Sequence, residues 1–397
     1  MSRTALNASL NKSVRVELVE TLPRLAVIVC FMSLSTLAAA QDEPGLRFSG
    51  YYKNLLVSSE TASGEPYTLD VNRMRLELKG QLSQALRLDV QYDNEVWLGN
   101  YLRTTQFQQQ KGLPSPQYWI AQGSYADGPT LYGTHGLYRA QLQATFGDTD
   151  LRIGRQRIAW GTGRFWSPLD LLNPFSPVSL ERGERLGVDA VLVEHKFGPV
   201  SRVSAVYAPS RRAGEDSRAL QWHGNAQSTD YSVTAGQIRG DKVVGLDLAG
   251  QIGAAGVRAE MTRVQPRIGD TYHRFLLGID YAFANTLTLS AELYRDGSGA
   301  SSSAAYDVSA LTTGRRQTLA QHYAGVRAIY EITPLLKLSA DVIVNLDDQS
   351  RYLAPGISYS IRSNLDWSLV WRRFSGATGT EYARVPSAVF TQIQWFF

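Results

Sequence analysis

The stretch GRQRIAWGTGRFWSPLDLLNPFSPVSLERGERLGVDA, residues 154–190, holds most of the residues in this chain that could act on a charged solute. Arg155, Arg157, Arg164, Arg182 and Arg185 lie within it, and Arg152 just precedes it. A guanidinium is always protonated and offers a planar fork of donors to a carboxylate or a phosphate. The same cations could instead be spent on Asp150, Asp170, Glu181 and Glu184 as an internal salt-bridge lattice, and both readings stand at this point. Bond-breaking chemistry has much less support. His135, His195, His223, His273 and His322 are scattered with no pair at metal-ligand spacing. There is no glycine-rich phosphate cradle, and Asp347-Asp348 is too brief for a calcium loop. The expectation is therefore no enzyme, no metal and no cofactor.

The elements around these arginines look built rather than loose. Ser167, Pro168 and Asp170 form a helix-start pattern, with serine at the cap, proline at the first helical position and an acid at the third. Asn173-Pro174 stops that turn. Ser176-Pro177 starts a second one, running toward Arg185 with a break at Gly187. Trp160, Phe165, Trp166 and Phe175 lie among these turns, and four rings would make a large exposed apolar patch unless they pack on a surface. The segment begins and ends as alternating strand. Leu151 and Ile153 share a face with Arg155 and Arg157, so one lipid face and one polar face cannot hold all four unless a bulge falls at Gly154.

The chain's two ends set the compartment. Residues 1–40 read as a secretory signal peptide: Arg3, Lys12, Arg15 and Arg24, an apolar run from Leu25, then Ala38-Ala39-Ala40 before Gln41. The only cysteine, Cys30, lies in this leader, so residues 41–397 carry no thiol. Removing the leader's four basic and two acidic residues leaves 36 Lys+Arg against 34 Asp+Glu, a net charge of +2. That balance argues against nucleic acid as a partner, which needs a concentrated basic surface. No later apolar run is long enough for a spanning helix, so any membrane is crossed by strands.

From Leu46 onward the pattern has period two. Arg87, Asp89, Gln91, Asp93 and Glu95 alternate with Leu86, Leu88, Val90, Tyr92 and Val96, and Lys337, Ser339, Asp341 and Asn345 alternate with Leu336, Leu338, Ala340, Val342 and Val344. Short connections near 80–83, 147–149, 197–199, 253–256, 284–286, 333–334 and 363–364 separate long ones near 58–68, 98–135, 159–186, 209–217, 297–318 and 375–386. Clear strands number roughly 17, and the need for an even number promotes the weakest candidate, Arg218 to Ala226, to a strand. The expected fold is all-β: a single transmembrane antiparallel β-barrel of about 18 strands, with 16 acceptable, and with its third external loop (161–185) folded inward. A rim cap is the alternative place for that loop.

The last residues, VFTQIQWFF, put Val389, Thr391, Ile393, Trp395 and Phe397 on one face. This end resembles the C-terminal signal of Gram-negative outer-membrane β-barrels, which implies that the barrel-assembly machinery reads Trp395 and Phe397. The third-loop position resembles the constriction loop of general porins. Arg155-Gln156, Trp160-Gly161 and Asp170, Asn173-Pro174 are similar to the RQ-x-x-x-WG and D-x-x-NP pattern of a porin-like outer-membrane family. The resemblance implies an outer-membrane channel in contact with lipid, passing small hydrophilic solutes, anionic ones among them, with Arg155, Arg157, Arg164, Asp170, Arg182 and Arg185 at its narrows and Trp160, Phe165, Trp166 and Phe175 packing the loop. Export of an acidic polysaccharide, by similarity to alginate-export barrels, and a plugged scaffold are the alternatives. A homo-oligomer stays open.

Overall fold

The computed structural model describes residues 45–113, 115–174, 176–181, 183–312 and 316–397; the leader, Cys30 and the cleavage position near Ala40 lie outside them. Among the described residues nineteen strands follow one another. The first ten are β1 (Leu46–Glu60), β2 (Pro66–Gln81), β3 (Leu86–Leu98), β4 (Gln122–Asp127), β5 (Leu131–Phe146), β6 (Thr149–Gln156), β7 (Val188–Lys196), β8 (Arg202–Ala208), β9 (Ser217–Ala226) and β10 (Thr229–Ile238). They are followed by β11 (Asp241–Ile252), β12 (Ala255–Gln265), β13 (Tyr272–Ala282), β14 (Leu287–Asp296), β15 (His322–Glu331), β16 (Leu336–Asn345), β17 (Arg351–Arg362), β18 (Leu365–Ser375) and β19 (Ala388–Phe396).

Neighbouring strands pair antiparallel, and β19 returns to β1 with Tyr51 opposite Phe396 and Ser59 opposite Ala388. The sheet thus closes on itself as an 18-strand barrel without an open edge along its wall. The extra strand is β4. One edge of β5 pairs with β3 throughout; its other edge pairs with β4 over Tyr132–Gly136 and with β6 over Ala140–Phe146.

Alternation decides which side chains enter the lumen. Cross-strand rows such as Leu246, Met261 and Phe275, or Ala259, Leu277 and Leu293, are apolar and face outward. The rows between them carry charge: Arg73 stands opposite Glu95, Arg75 opposite Asp93, Arg274 opposite Asp296 and Arg327 opposite Asp341. Three of these rungs come from the stretches whose alternation predicts a charged face, Arg87 to Glu95 and Lys337 to Asn345.

The connections follow the expected division with two differences. Residues 98–135 are only partly loop: a short helix α1 (Thr105–Lys111) and β4 lie within them, and β5 begins at Leu131. At the long-loop end β10 and β11 are joined by a tight turn, Arg239-Gly240, whose φ angles of 51° and 88° match the two-residue hairpin geometry. Arg218 to Ala226 is indeed a strand, as parity requires. The loop before β15 contains a second short helix, α2 (Val308–Thr312). Among the described residues no helix is long and apolar enough to cross a membrane, which says nothing about strands.

Candidate functional site

The third long loop, 157–187, leaves the top of β6 and turns into the barrel. Ile158, Trp160, Leu169 and Leu172 join the inward residues of β7 to β12, among them Leu192, Val206, Ala219, Ile238, Val243 and Val264, in one apolar cluster. Such a loop has no ladder to satisfy its backbone, and buried N–H groups need acceptors. Two wall carboxylates supply them. Glu260 on β12 accepts from Thr162 N (2.5 Å), Gly163 N (2.6 Å), Leu169 N (3.2 Å) and Ser167 Oγ (2.8 Å). Glu292 on β14 accepts from Arg164 N (2.6 Å) and Phe165 N (2.8 Å). Phe165 and Trp166 are fully buried there, with the indole stacked on Tyr294 at 5.4 Å. Gly325 on β15 makes room for them, since a Cβ at that position would stand 2.9 Å from the Phe165 ring.

The second half of the loop crosses to the opposite wall. Arg372 on β18 donates to the Val178 carbonyl, and Leu180 packs on the cluster formed by Leu55, Val57, Leu69 and Val71. Glu181 meets Lys53 (2.6 Å) and Arg73 (2.8 Å), and Glu184 meets Lys53 (3.0 Å) and Arg75 (2.9 Å). Arg185 N donates to Tyr138 Oη (2.9 Å), and Arg139 donates to the Arg185 carbonyl. Asn173 Nδ2 donates to the Leu186 carbonyl (2.6 Å), tying the two arms together. The loop therefore follows the inner wall around the barrel and does not sit on the rim.

Three carboxyls in this loop are held away from their ordinary values, Asp170 upward and Glu181 and Glu184 downward. Burial, opposed by Arg185 and Arg157, pushes Asp170 up from 3.8 to about 7. Burial also works against ionisation of Glu184, but Lys53, Arg75 and Arg73 outweigh it and hold that carboxyl down at about 2. The signs follow from linkage. Between 3.8 and about 7 the seated loop keeps a proton on Asp170 that a displaced loop would lose, so seating weakens as pH rises through that window. The Glu184 contribution is complete above 4.5 and is lost as pH falls toward about 2. Acrylamide quenching of the loop tryptophans should accordingly rise between pH 4 and pH 8, and Asp170→Asn should flatten that rise. An unchanged slope in the variant would assign it elsewhere.

The residues singled out from the sequence reach different places. Trp160, Phe165 and Trp166 are packed between loop and wall, while Phe175 and Arg182 lie outside the described residues. Ser167 Oγ accepts from Asp170 N (3.1 Å) and Ser176 Oγ from Val178 N (3.4 Å), as the cap pattern requires, but each stays a single turn and no helix follows. Arg164 is half exposed and pairs with Asp280 on β13 (2.9 Å); Arg185 pairs with Asp170 (2.9 Å). Arg157 is exposed and has no ion pair among the described residues.

Arg155 is the departure. No bulge occurs at Gly154: the register runs unbroken on both sides of β6, and Gly154 takes φ +116° where a Cβ would strike the Ala140 carbonyl. Arg155 thus keeps the outward parity of Leu151 and Ile153, is 1% exposed and pairs with Asp189 (2.9 Å), so it does not line the lumen. Of the partners foreseen for these arginines only Asp170 takes one of them, Arg185; Arg155 and Arg164 pair elsewhere, as does Arg152, with Glu194 (3.4 Å). Asp150 pairs with Lys196 (2.9 Å), and Glu181 and Glu184 go to the wall.

Sequence reasoning missed Glu260, Glu292, Lys53, Arg73 and Arg75. Each is an ordinary charged residue on the inward parity of a strand, and only the loop's path separates these from the other inward charges. At the chain's end, Trp395 and Phe397 face outward with ring centroids 5.3 Å apart, and Phe397 exchanges two backbone hydrogen bonds with Gly50 (2.9 and 3.1 Å). Among the described residues no cluster could hold a metal ion.

The barrel is similar to solved outer-membrane channels. Against Acinetobacter baumannii OccAB1 the TM-score is 0.58 at 10% identity, covering 89% of this chain and 96% of that one. Against Pseudomonas aeruginosa OprD it is 0.56 at 9% identity, covering 91% and 97%. Against Pseudomonas aeruginosa OccK8 (OprE) it is 0.56 at 11% identity, covering 89% and 98%. The fold is the OprD porin fold. At these identities the likeness extends to the fold alone. No family model and no curated protein matches the sequence.

Proposed function

We propose that this barrel spans the outer membrane of a Gram-negative bacterium and is a channel for the passive diffusion of small hydrophilic solutes. The observation that carries this reading is the third loop seated across a lumen whose wall below it is polar: Arg152, Glu194, Ser204, Ser290, Ser339, Ser358, Ser368 and Gln392 all point inward there. A water-filled lumen removes the cost of taking a polar solute through hydrocarbon, and width and charge at the narrows select among solutes. The outward apolar belt supports the membrane assignment, since so large an apolar surface would not be left in water. Trp395 and Phe397, pinned at the closing strand, fit recognition by the barrel-assembly machinery.

Selectivity rests on the cations that remain exposed. Arg157 and Arg164 favour anionic solutes, whereas Arg155 plays no part in the lumen. In planar bilayers the protein should give discrete open steps, and changing Arg157 and Arg164 together to Gln should move the reversal potential toward cations. That shift should shrink at high salt as screening shortens from about 8 Å toward 3 Å. The extent of loop packing on every side of the wall favours one second reading, a plugged scaffold. A protein that inserts and passes no current would establish that reading in place of the channel.

A further inference from the structure

β6 ends at Gln156 and β7 begins at Val188, and residues 118–120 of the second long loop lie across that end of the wall. Arg155 and Asp189 face outward there. Arg155 donates to Asp189 Oδ1 (2.9 Å), to the Leu137 carbonyl (2.7 Å) and to the Trp119 carbonyl, while Trp119 N donates to Asp189 Oδ2 (2.8 Å). Counted from the short turns, Arg155 stands as far along its strand as Leu246 does along β11, and Leu246 is an exposed member of the outward belt. An ion pair at that height would face hydrocarbon if nothing covered it, and intramembrane charges are tolerated only when they are shielded and paired.

The cover itself is apolar on its free side. Tyr118, Trp119 and Ile120 are 50%, 56% and 49% exposed. The chain continues into β4, where Tyr125 lies against Gly133 and donates to Asn94 Oδ1 (3.0 Å), both on the outer face of the wall. We infer that residues 118–120 are a lipid-facing segment: the second long loop completes the outer wall above β6 and β7 and places Trp119 among the lipids of the outer leaflet, sealing the Arg155–Asp189 pair. Continuity with the apolar belt selects lipid as the occupant, and an aromatic pair at the top of that belt is where the two phases of a membrane meet. This rests on the reading of the barrel as membrane-spanning.

The full chain has one cysteine, Cys30, so a Cys30→Ser background accepts single probes cleanly. Nitroxide labels would be placed on Trp119→Cys, on Leu277→Cys in the belt and on Ile268→Cys, whose native side chain is 93% exposed in the loop between β12 and β13. The folded barrels would be inserted in phosphatidylcholine vesicles, and each label's collision rate measured with oxygen and with a soluble nickel chelate. The label at 119 should follow Leu277→Cys, with oxygen preferred, and Ile268→Cys should prefer the chelate. Preference for the chelate at 119 alone overturns the inference and leaves the membrane reading intact; preference for it at 277 overturns both. A label at 119 shielded from both reagents overturns it in favour of a second copy of the chain. If Trp119→Cys does not fold, the same question is read from quenching of native tryptophan by acyl-brominated phospholipid. The quenched fraction should fall in Trp119→Phe, and an equal fraction in both proteins overturns the inference.

Discussion

Glu260→Ala is expected to release the first arm of the third loop and to be among the most damaging single changes in the protein. The carboxylate is 3% exposed and accepts from three backbone N–H groups and the Ser167 hydroxyl. Without it these donors stay buried with no acceptor, at about 1–3 kcal/mol each, unless the loop leaves the wall. Leaving also exposes Trp160, Leu169 and Leu172, so the loss should be on the order of 3–5 kcal/mol, typical of breaking a buried charge network. Glu260→Gln keeps an acceptor oxygen and should lose roughly half as much. Proteolysis at Arg164 and Arg185 in the folded barrel measures the release: fast cleavage in Glu260→Ala, slower in Glu260→Gln, and none beyond the wild-type rate in Asp89→Asn. Equal resistance in all four proteins would mean that the apolar clusters hold the loop without Glu260.

The barrel was legible because alternation is a local property. Leu86 to Val96 states its two faces in eleven consecutive residues, and the register then places Asp93 against Arg75 without further information. Strand parity was strong enough to rescue β9, whose RALQWHGNA carries little signal of its own. The path of the third loop was not local in this way. Ser167 and Ser176 do cap turns, but neither turn propagates, and the path of the segment leading in is set by Glu260 and Glu292, which take the N–H groups of residues 162–165 onto the wall across some ninety and more positions of sequence. Arg155 was misplaced for a related reason. A bulge at Gly154 would have turned the guanidinium inward, whereas the chain keeps its register and covers the outward ion pair with Trp119, a residue from a different loop. Gly325 shows what a readable trace would have looked like: an inward glycine in a β-strand marks a place where something approaches closely.

Replacing 161–185 by a short Gly/Ser linker tests the central claim, that the seated loop sets the width of a conducting lumen. The replacement removes both arms while leaving β6 and β7 and all the wall ladders in place. Resistance concentrates at the narrowest part of a pore, so single-channel conductance should rise by about two-fold or more. The replacement removes Arg164, Arg182 and Arg185 together with Asp170, Glu181 and Glu184, so the loop's net charge is unchanged and the variant reports on width. One planar-bilayer recording of wild type and variant side by side gives the comparison. Larger steps are the result this structure predicts. Steps of unchanged size from a correctly folded variant would contradict it, because the loop could then not be the narrows.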